Sequence, residues 1–179
     1  MPDEKLLERI RAGDKGAFDE LVRKYQREIY YLALRMVKNT EDAEELTQQT
    51  FVKAFEKHEG FRGESGFKTW LYQVALNTCR SHLRNRRGVL ELNEESGSLV
   101  SEGGTPPEIL IQAETASAAV AAAGSLPEKQ RIAVLLRIFH EMSYEEIGGI
   151  IGCSEQTAKV NFHYGIENLR KKMKENGAM

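Results

Sequence analysis

Apolar residues recur at three- and four-residue steps along most of this chain, and no stretch alternates apolar and polar residues as a β-strand would. The repeat is clearest at residues 67–87, where Phe67, Trp70 and Val74 share one side of a helix. The chain is therefore predicted to be all-α.

The opposite side of the same stretch carries positive charge. On this face, ring and amide side chains lie between the basic residues. The predicted basic face consists of Lys68, Tyr72, Asn77, Arg80, His82, Arg84, Arg86 and Arg87. Such a face suits a nucleic-acid strand, because cations hold phosphates, flat rings stack on bases and amides contact base edges. An ordinary solvated face of a core helix explains the same pattern, since runs of charge are common.

The net charge of −2 is unevenly distributed along the 179 residues. Residues 1–88 carry a net +3, residues 89–107 a net −4 and residues 108–179 a net −1. Any DNA contact is therefore local, and binding by the protein alone should be weak. This distribution favours a protein that binds DNA together with a partner.

The sequence also indicates where in the cell the protein is found. No apolar run approaches the roughly 20 residues that a membrane span requires. The N-terminal residues do not resemble a signal peptide, and the two cysteines, Cys79 and Cys153, lie far apart. We expect a soluble, cytoplasmic protein without membrane insertion.

The chain is predicted to form two small helical domains, residues 1–88 and 108–179, joined by a flexible linker at 89–107. The linker contains Gly, Ser, Glu and Pro and no basic residue, which is typical of an extended or disordered tether. An alanine-rich helix is expected at about 107–123. Helix starts are expected at the capping residues Asp3, Asp14, Thr40, Ser125, Ser143 and Ser154.

The last two predicted helices form a helix-turn-helix. A short helix begins after Ser143 and ends at Gly152, and a longer helix runs from about Glu155 to Lys174. This arrangement places the second helix in the major groove of DNA. Helical hairpins of other kinds can produce the same pattern.

Signals for an enzyme are weak. Cys79 and His82 lie three residues apart, but two ligands do not make a zinc site, and packing or DNA contact explains both. The sequence has no glycine-rich phosphate loop, no nucleophile elbow and no HExxH helix. We expect no catalytic residue, no metal and no cofactor.

Five sequence blocks, taken in order, resemble the extracytoplasmic-function (ECF) class of sigma-70 family factors over nearly the whole chain. The blocks are 18–22 (FDELV) with Tyr25, 42–51 (DAEELTQQTF), 67–72 (FKTWLY) with Asn77, 126–131 (LPEKQR), and 144–148 (YEEIG) followed by 157–159 (TAK). Each block alone is weak, but their order and spacing make a chance match very improbable.

The resemblance implies a non-catalytic initiation subunit with regions 2 and 4. Its implied partners are core RNA polymerase, through the β′ and β subunits, promoter DNA, and an anti-sigma factor. The acidic linker would thread the active-site cleft and RNA exit channel of polymerase, although a plain tether explains it equally. The alternative function is a helix-turn-helix regulator that does not replace a sigma subunit, and binding to core polymerase without DNA distinguishes the two.

The resemblance assigns two interfaces to the first domain. The outer face of the third helix would bind the β′ coiled coil, unless it is an ordinary solvated face, through Asp42, Glu45, Gln48 and Gln49. The following loop and basic helix would melt the −10 element and hold a flipped base, whose extrusion costs a few kcal/mol. The −10 candidates are Phe61, Arg62, Lys68, Asn77, Arg80, Ser81, Arg84, Arg86 and Arg87. Trp70 fits either the core or a wedge.

The resemblance assigns the −35 element to the final helix. The candidates on one side of it are Gln156, Lys159, Val160, His163 and Tyr164. Family members commonly have arginine where this chain has Asn161, Tyr164 and Ile166. Because each missing phosphate contact lowers affinity, we expect a weak grip on the −35 element or an unusual −35 sequence.

Overall fold

The structure, a computed structural model, describes residues 2–61, 63, 66–94 and 124–175, with the side chains of the basic helix described as far as Arg86. Within these ranges every regular element is a helix, as the periodicity predicts. Each of these helices is too short or too polar to span a bilayer. Tertiary contacts divide the chain into two compact units, residues 1–104 and 105–179. The unit boundary falls inside the predicted linker, and the domain limits stay a prediction.

The described part of the first unit contains four α-helices and a short 3₁₀ turn at His58–Gly60. The helices are α1 (Asp3–Arg11), α2 (Lys15–Val37), α3 (Thr40–Lys57) and α4 (Phe67–Glu94). α2 packs against each of the other three, and α3 also packs against α4. Full burial of an aliphatic side chain stabilises the fold by about 1.5–3 kcal/mol, and the residues so buried include Leu21, Ile29, Leu32, Leu46, Leu71 and Leu76.

The acids predicted to cap α1 and α2 bind side chains instead. Asp3 lies inside the first turn of α1 and accepts hydrogen bonds from Lys24 at 2.6 Å and Tyr25 at 2.5 Å. Asp14 does occupy the position before α2, but its carboxylate accepts from Arg9 Nε at 2.9 Å. These contacts tie α1 to α2.

The cap of α3 lies one residue before the predicted one. Asn39 precedes the helix, and its side-chain oxygen accepts a hydrogen bond from the backbone N–H of Asp42 at 2.9 Å. The prediction of Thr40 is therefore wrong. Asparagine caps helices at least as well as threonine, so sequence alone does not distinguish these neighbours.

α4 continues beyond the predicted end of the first domain. Its backbone stays helical through Glu94, so the expectation of an extended linker from residue 89 is wrong for residues 89–94. Leu and Glu have high helix propensity, and one interior glycine costs only about 1 kcal/mol. The rest of the predicted linker and the predicted helix at 107–123 lie outside the described residues.

The second unit contains α5 (Glu128–Phe139), α6 (Tyr144–Ile151) and α7 (Glu155–Glu175), and each packs against the other two. The cap predicted at Ser143 is confirmed and is part of a capping box, in which the Ser143 hydroxyl accepts from the Glu146 N–H and the Glu146 carboxylate accepts from the Ser143 N–H. The helix start predicted at Ser125 is displaced by two residues, because Pro127 directly precedes α5. The Ser125 hydroxyl accepts a hydrogen bond from Lys172 Nζ at 2.5 Å.

Candidate nucleic-acid and polymerase interfaces

Four residues form a polar strip along the outer side of α4, and their spacing of three or four residues places them on one side of the helix. Asn77 and Arg84 are exposed, and Arg80 and Ser81 are half-buried. Arg80 Nη1 donates to Asn77 Oδ1 at 3.3 Å, and Arg84 Nη2 donates to Ser81 Oγ at 3.3 Å. The strip thus presents two cations and two polar groups in one line.

The other described members of the predicted basic face lie on the side of α4 that packs against α2 and α3. Tyr72 is fully buried and donates to Glu28 Oε2 at 2.8 Å. Lys68 Nζ lies 3.9 Å from the same oxygen. The prediction of one shared basic face is wrong. Arg86 follows Lys68 by 18 residues, which make about five helical turns, so both lie on the packed side of α4 and not with the strip.

Asp42, predicted to contact polymerase, faces α4. Its side chain is 26% exposed, and Oδ2 lies 3.3 Å from Arg86 Nη1 and 3.3 Å from His82 Nε2. The carboxylate thus contacts two residues of the predicted basic face. Asp42 joins α3 to α4 rather than pointing into solvent.

The remaining polymerase candidates do form an outer face of α3. Glu45 and Gln48 are exposed, and Gln49 Nε2 donates to Glu45 Oε1 at 2.8 Å. The same face continues to Val52, which is 57% exposed and was not among the predicted polymerase contacts. Its position three and four residues after Gln49 and Gln48 was the available signal.

The predicted −10 aromatic residue, Phe61, is buried at 7% exposure. Its ring centroid lies 5.9 Å from that of Phe67 and 5.2 Å from that of Trp70, and its carbonyl accepts from Arg11 Nη2 at 3.0 Å. Trp70 packs on both rings yet stays half-buried, so it joins the core and keeps part of its ring accessible. Arg62 lies outside the described residues, as does the side chain of Arg87.

The helix-turn-helix is formed by α6, a tight turn and α7. Gly152 has a φ of 70°, a left-handed conformation that favours glycine. The Ser154 hydroxyl accepts from the Thr157 N–H at 3.1 Å and begins α7, as predicted. All five −35 candidates are exposed on the outer side of this helix: Gln156, Lys159, Val160, His163 and Tyr164.

Two of the positions where arginine was expected are engaged within the second unit. Asn161 Nδ2 donates to the Thr157 carbonyl of its own helix at 2.9 Å. Ile166 packs with Phe162 against a core cluster of the second unit. Of the three, Tyr164 is exposed, and Asn161 and Ile166 are half-buried.

The Cys79 and His82 pair has separate environments. Cys79 is buried, and burial raises the pKa of its thiol to about 12, which disfavours a thiolate ligand. His82 lies against Asp42. Among the described residues, no three His, Cys, Asp or Glu side chains come together as metal ligands.

Comparison with known proteins covers both units. Two family models match: Sigma-70 region 2 over residues 21–89 and Sigma-70, region 4 over residues 118–169. The RNA polymerase sigma-H factor of Pseudomonas aeruginosa is 35% identical over 178 residues, which are 94% of this chain and 92% of the relative. The ECF RNA polymerase sigma-E factor of Escherichia coli is 33% identical over 182 residues, 97% of this chain and 95% of the relative. The chain is an ECF sigma factor of the sigma-70 family.

Solved structures of this sigma factor's fold agree with its architecture. CnrH in complex with the cytosolic domain of CnrY matches with a TM-score of 0.74 and 21% identity, covering 97% of each chain. The sigma factor RpoE in complex with the anti-sigma factor NepR from Bartonella quintana matches with a TM-score of 0.71 and 24% identity, covering 88% of this chain and 96% of the other. The family models and the sequence relatives confirm the resemblance inferred from the sequence blocks.

The family match also distinguishes the two functions left open by the sequence. Region 2 covers residues 21–89, which include most of α2, all of α3 and most of α4. A separate helix-turn-helix regulator has no need of this unit. The match over both regions therefore favours the sigma factor.

Proposed function

We propose that this sigma factor opens the −10 element with α4, reads the −35 element with α7 and binds polymerase through α3. The main support for this proposal is the strip of Asn77, Arg80, Ser81 and Arg84, which is cationic and points away from the packed side of α4. The protein works in the cytoplasm as a subunit of polymerase. It catalyses nothing itself, because polymerase supplies the metal ions and the chemistry of RNA synthesis.

Strand capture on α4 combines charge with stacking. Arg80 and Arg84 hold phosphates of the non-template strand, while Asn77 and Ser81 contact base edges. Extruding a base costs a few kcal/mol, and stacking on an aromatic ring returns about 1–3 kcal/mol per base. Trp70 offers the partly accessible ring for this contact, and Phe61 supports it from inside the unit.

The polymerase interface is centred on Val52. An exposed apolar side chain that follows Glu45, Gln48 and Gln49 on the same helix face has the composition of a protein–protein contact, which combines apolar and polar groups. Asp42 lies outside this surface and fixes α3 against α4.

Run-off transcription with purified core polymerase on a library of random promoters tests the function. We expect start sites that depend on this protein and share one motif near −10 and one near −35. Tight polymerase binding without any dependence of transcription on the protein would leave a polymerase-binding regulator in place of a sigma factor.

Arginine variants test the role of the α4 strip. Arg84→Ala should lower open-complex formation and reduce the slope of log affinity against log salt by about 0.7, the value for one phosphate of a single strand. Arg23→Ala is the matched control, because Arg23 is an exposed arginine on α2 that bonds the Asp19 carbonyl of its own helix. An equal loss in both variants would argue against a strip-specific contact.

Inhibition by an anti-sigma factor is part of the proposal. The RpoE and CnrH structures of this fold were solved with protein partners, of which NepR is described as an anti-sigma factor. Exposed apolar side chains occur in both units here, at Val52 and Phe55 in the first and Ile138 in the second. A cognate inhibitor should block binding to core polymerase, and Val52→Asp should weaken its complex with this protein.

A further inference from the structure

Two large apolar side chains are exposed on the outer side of α7. Val160 is 42% exposed and Tyr164 is 57% exposed. They lie four residues apart, so they share one side of the helix and are separated by about 6 Å along its axis. Lys159 and His163 are exposed next to them. The surface is an apolar pair with a basic border.

The core of the second unit does not require these two residues. The inner side of α7 is supplied by Ala158, Gly165 and Leu169, which are buried. Phe162 and Ile166 complete this side by packing against the cluster that contains Leu169. A single exposed apolar residue is ordinary, but here two of them stand together on the side that faces DNA in a helix-turn-helix.

Polar groups that recognise guanine are scarce on the same surface. Arginine or lysine is the usual donor pair for the guanine edge, and Lys159 is the one such residue between Glu155 and Leu169. The amide of Asn161 donates to the Thr157 carbonyl of its own helix. Apolar contact is therefore a means of base discrimination that this face offers beside the polar side chains of Gln156, Lys159 and His163.

We propose that Val160 and Tyr164 contact the C5-methyl groups of thymines in the −35 element, which makes that element thymine-containing at two nearby positions. This rests on the proposed function, in which α7 enters the major groove. The thymine methyl is the apolar group that the major-groove edge presents. Base pairs rise by about 3.4 Å, so a spacing of about 6 Å places the two thymines one or two steps apart.

Selection is the first part of the test. The holoenzyme, formed from core polymerase and the full chain, is used to select promoters with a randomised −35 element, and footprinting shows where it protects DNA. We expect a protected −35 element with thymine enriched at two positions within three consecutive base pairs. A protected element without thymine overturns the inference.

Deoxyuridine substitution is the second part. Deoxyuridine lacks the methyl group and keeps the hydrogen-bonding edge of thymine, so each replacement should lower holoenzyme affinity about fourfold, the value of one buried methyl group. Val160→Ala should no longer distinguish thymine from deoxyuridine at one of the two positions. Tyr164→Ala should no longer distinguish them at the other position. Lys159→Ala is the matched control and should weaken both duplexes alike.

The outcomes separate the inference from the function on which it rests. A protected −35 element whose affinity is unchanged by deoxyuridine overturns the methyl contacts and leaves the −35 role of α7 intact. An open −10 region without −35 protection overturns the role of α7 and the inference with it.

Discussion

Asp42 of α3 and Arg86 of α4 form an ion pair across 44 residues of sequence, with Oδ2 of Asp42 3.3 Å from Nη1 of Arg86. His82 Nε2 approaches the same oxygen at 3.3 Å. The contact joins the helix proposed to bind polymerase to the helix proposed to bind DNA. An acid that sequence places on the polymerase face therefore acts inside the first unit.

Replacing Asp42 should reveal this internal role. Asp42→Asn should lower the free energy of unfolding by about 0.5–1 kcal/mol, the upper range for a partly exposed ion pair, and leave polymerase affinity unchanged. Glu45→Gln should lower polymerase affinity and leave the free energy of unfolding unchanged. Urea unfolding and fluorescence-polarisation binding to core polymerase measure the two effects. A loss of polymerase affinity in Asp42→Asn at unchanged stability would return Asp42 to the interface.

Gly165 is required by the close crossing of α5 and α7. A Cβ atom at this position would lie 2.6 Å from Val134 Cγ2 and 3.2 Å from the Gln130 carbonyl oxygen. Gly165→Ala should therefore destabilise the second unit by about 1–3 kcal/mol through overpacking. Hydrogen exchange of the α7 amides measures the change.

The control for Gly165 removes the atom that it would meet. Val134→Ala deletes Cγ2. The double variant Gly165→Ala, Val134→Ala should therefore lose less free energy of unfolding than the two single variants lose together. Simple additivity would show that the close approach does not limit the side chain at position 165.

Alkaline pH should destabilise the first unit through Cys79. Burial raises the pKa of this thiol from 9.0 to about 12, so the unfolded chain loses its proton first. The stabilisation is complete below pH 9 and is lost at about 1.4 kcal/mol per pH unit as pH rises toward 12. Thermal or urea unfolding at several pH values should show this slope in the wild type and a smaller one in Cys79→Ala.

Tyr25 also lowers the stability of the first unit as pH rises, so its contribution has to be removed from the Cys79 comparison. Its burial and the hydrogen bond to Asp3 raise its pKa, so its contribution is also lost as pH rises, starting near its ordinary value of 10.0. The Cys79 comparison is therefore repeated in Tyr25→Phe. Identical slopes with and without Cys79 would contradict a buried, protonated thiol.

The two Ser-x-x-Glu sequences of the second unit should respond differently to alanine. Ser143 forms a complete capping box with Glu146, and Ser143→Ala should cost about 1 kcal/mol. Ser125 lies two residues before Pro127, which directly precedes α5, and its contact to Lys172 is a surface one, so Ser125→Ala should cost less than about 0.5 kcal/mol. Urea unfolding monitored by circular dichroism compares them. Equal costs would mean that Ser125 caps α5 in solution.

The helical class, the helix-turn-helix and the family follow from sequence. The apolar repeat of α2 and the turn at Gly152 are local, since a residue's neighbours within four positions decide its side of the helix. The exposed side of α7 was predicted correctly for the same reason. The capping box at Ser143 is equally local, because both hydrogen bonds join residues three apart.

The partners of the polar side chains were decided by the tertiary structure. Tyr72 was assigned to the basic face, but its hydroxyl bonds Glu28, 44 residues away. Asp42 was assigned to polymerase, but it pairs with Arg86 at the same separation. Hydrophobic burial is non-directional and can be predicted from periodicity, whereas a hydrogen bond or ion pair needs two specific atoms within about 3 Å. That distance is set only when the helices pack.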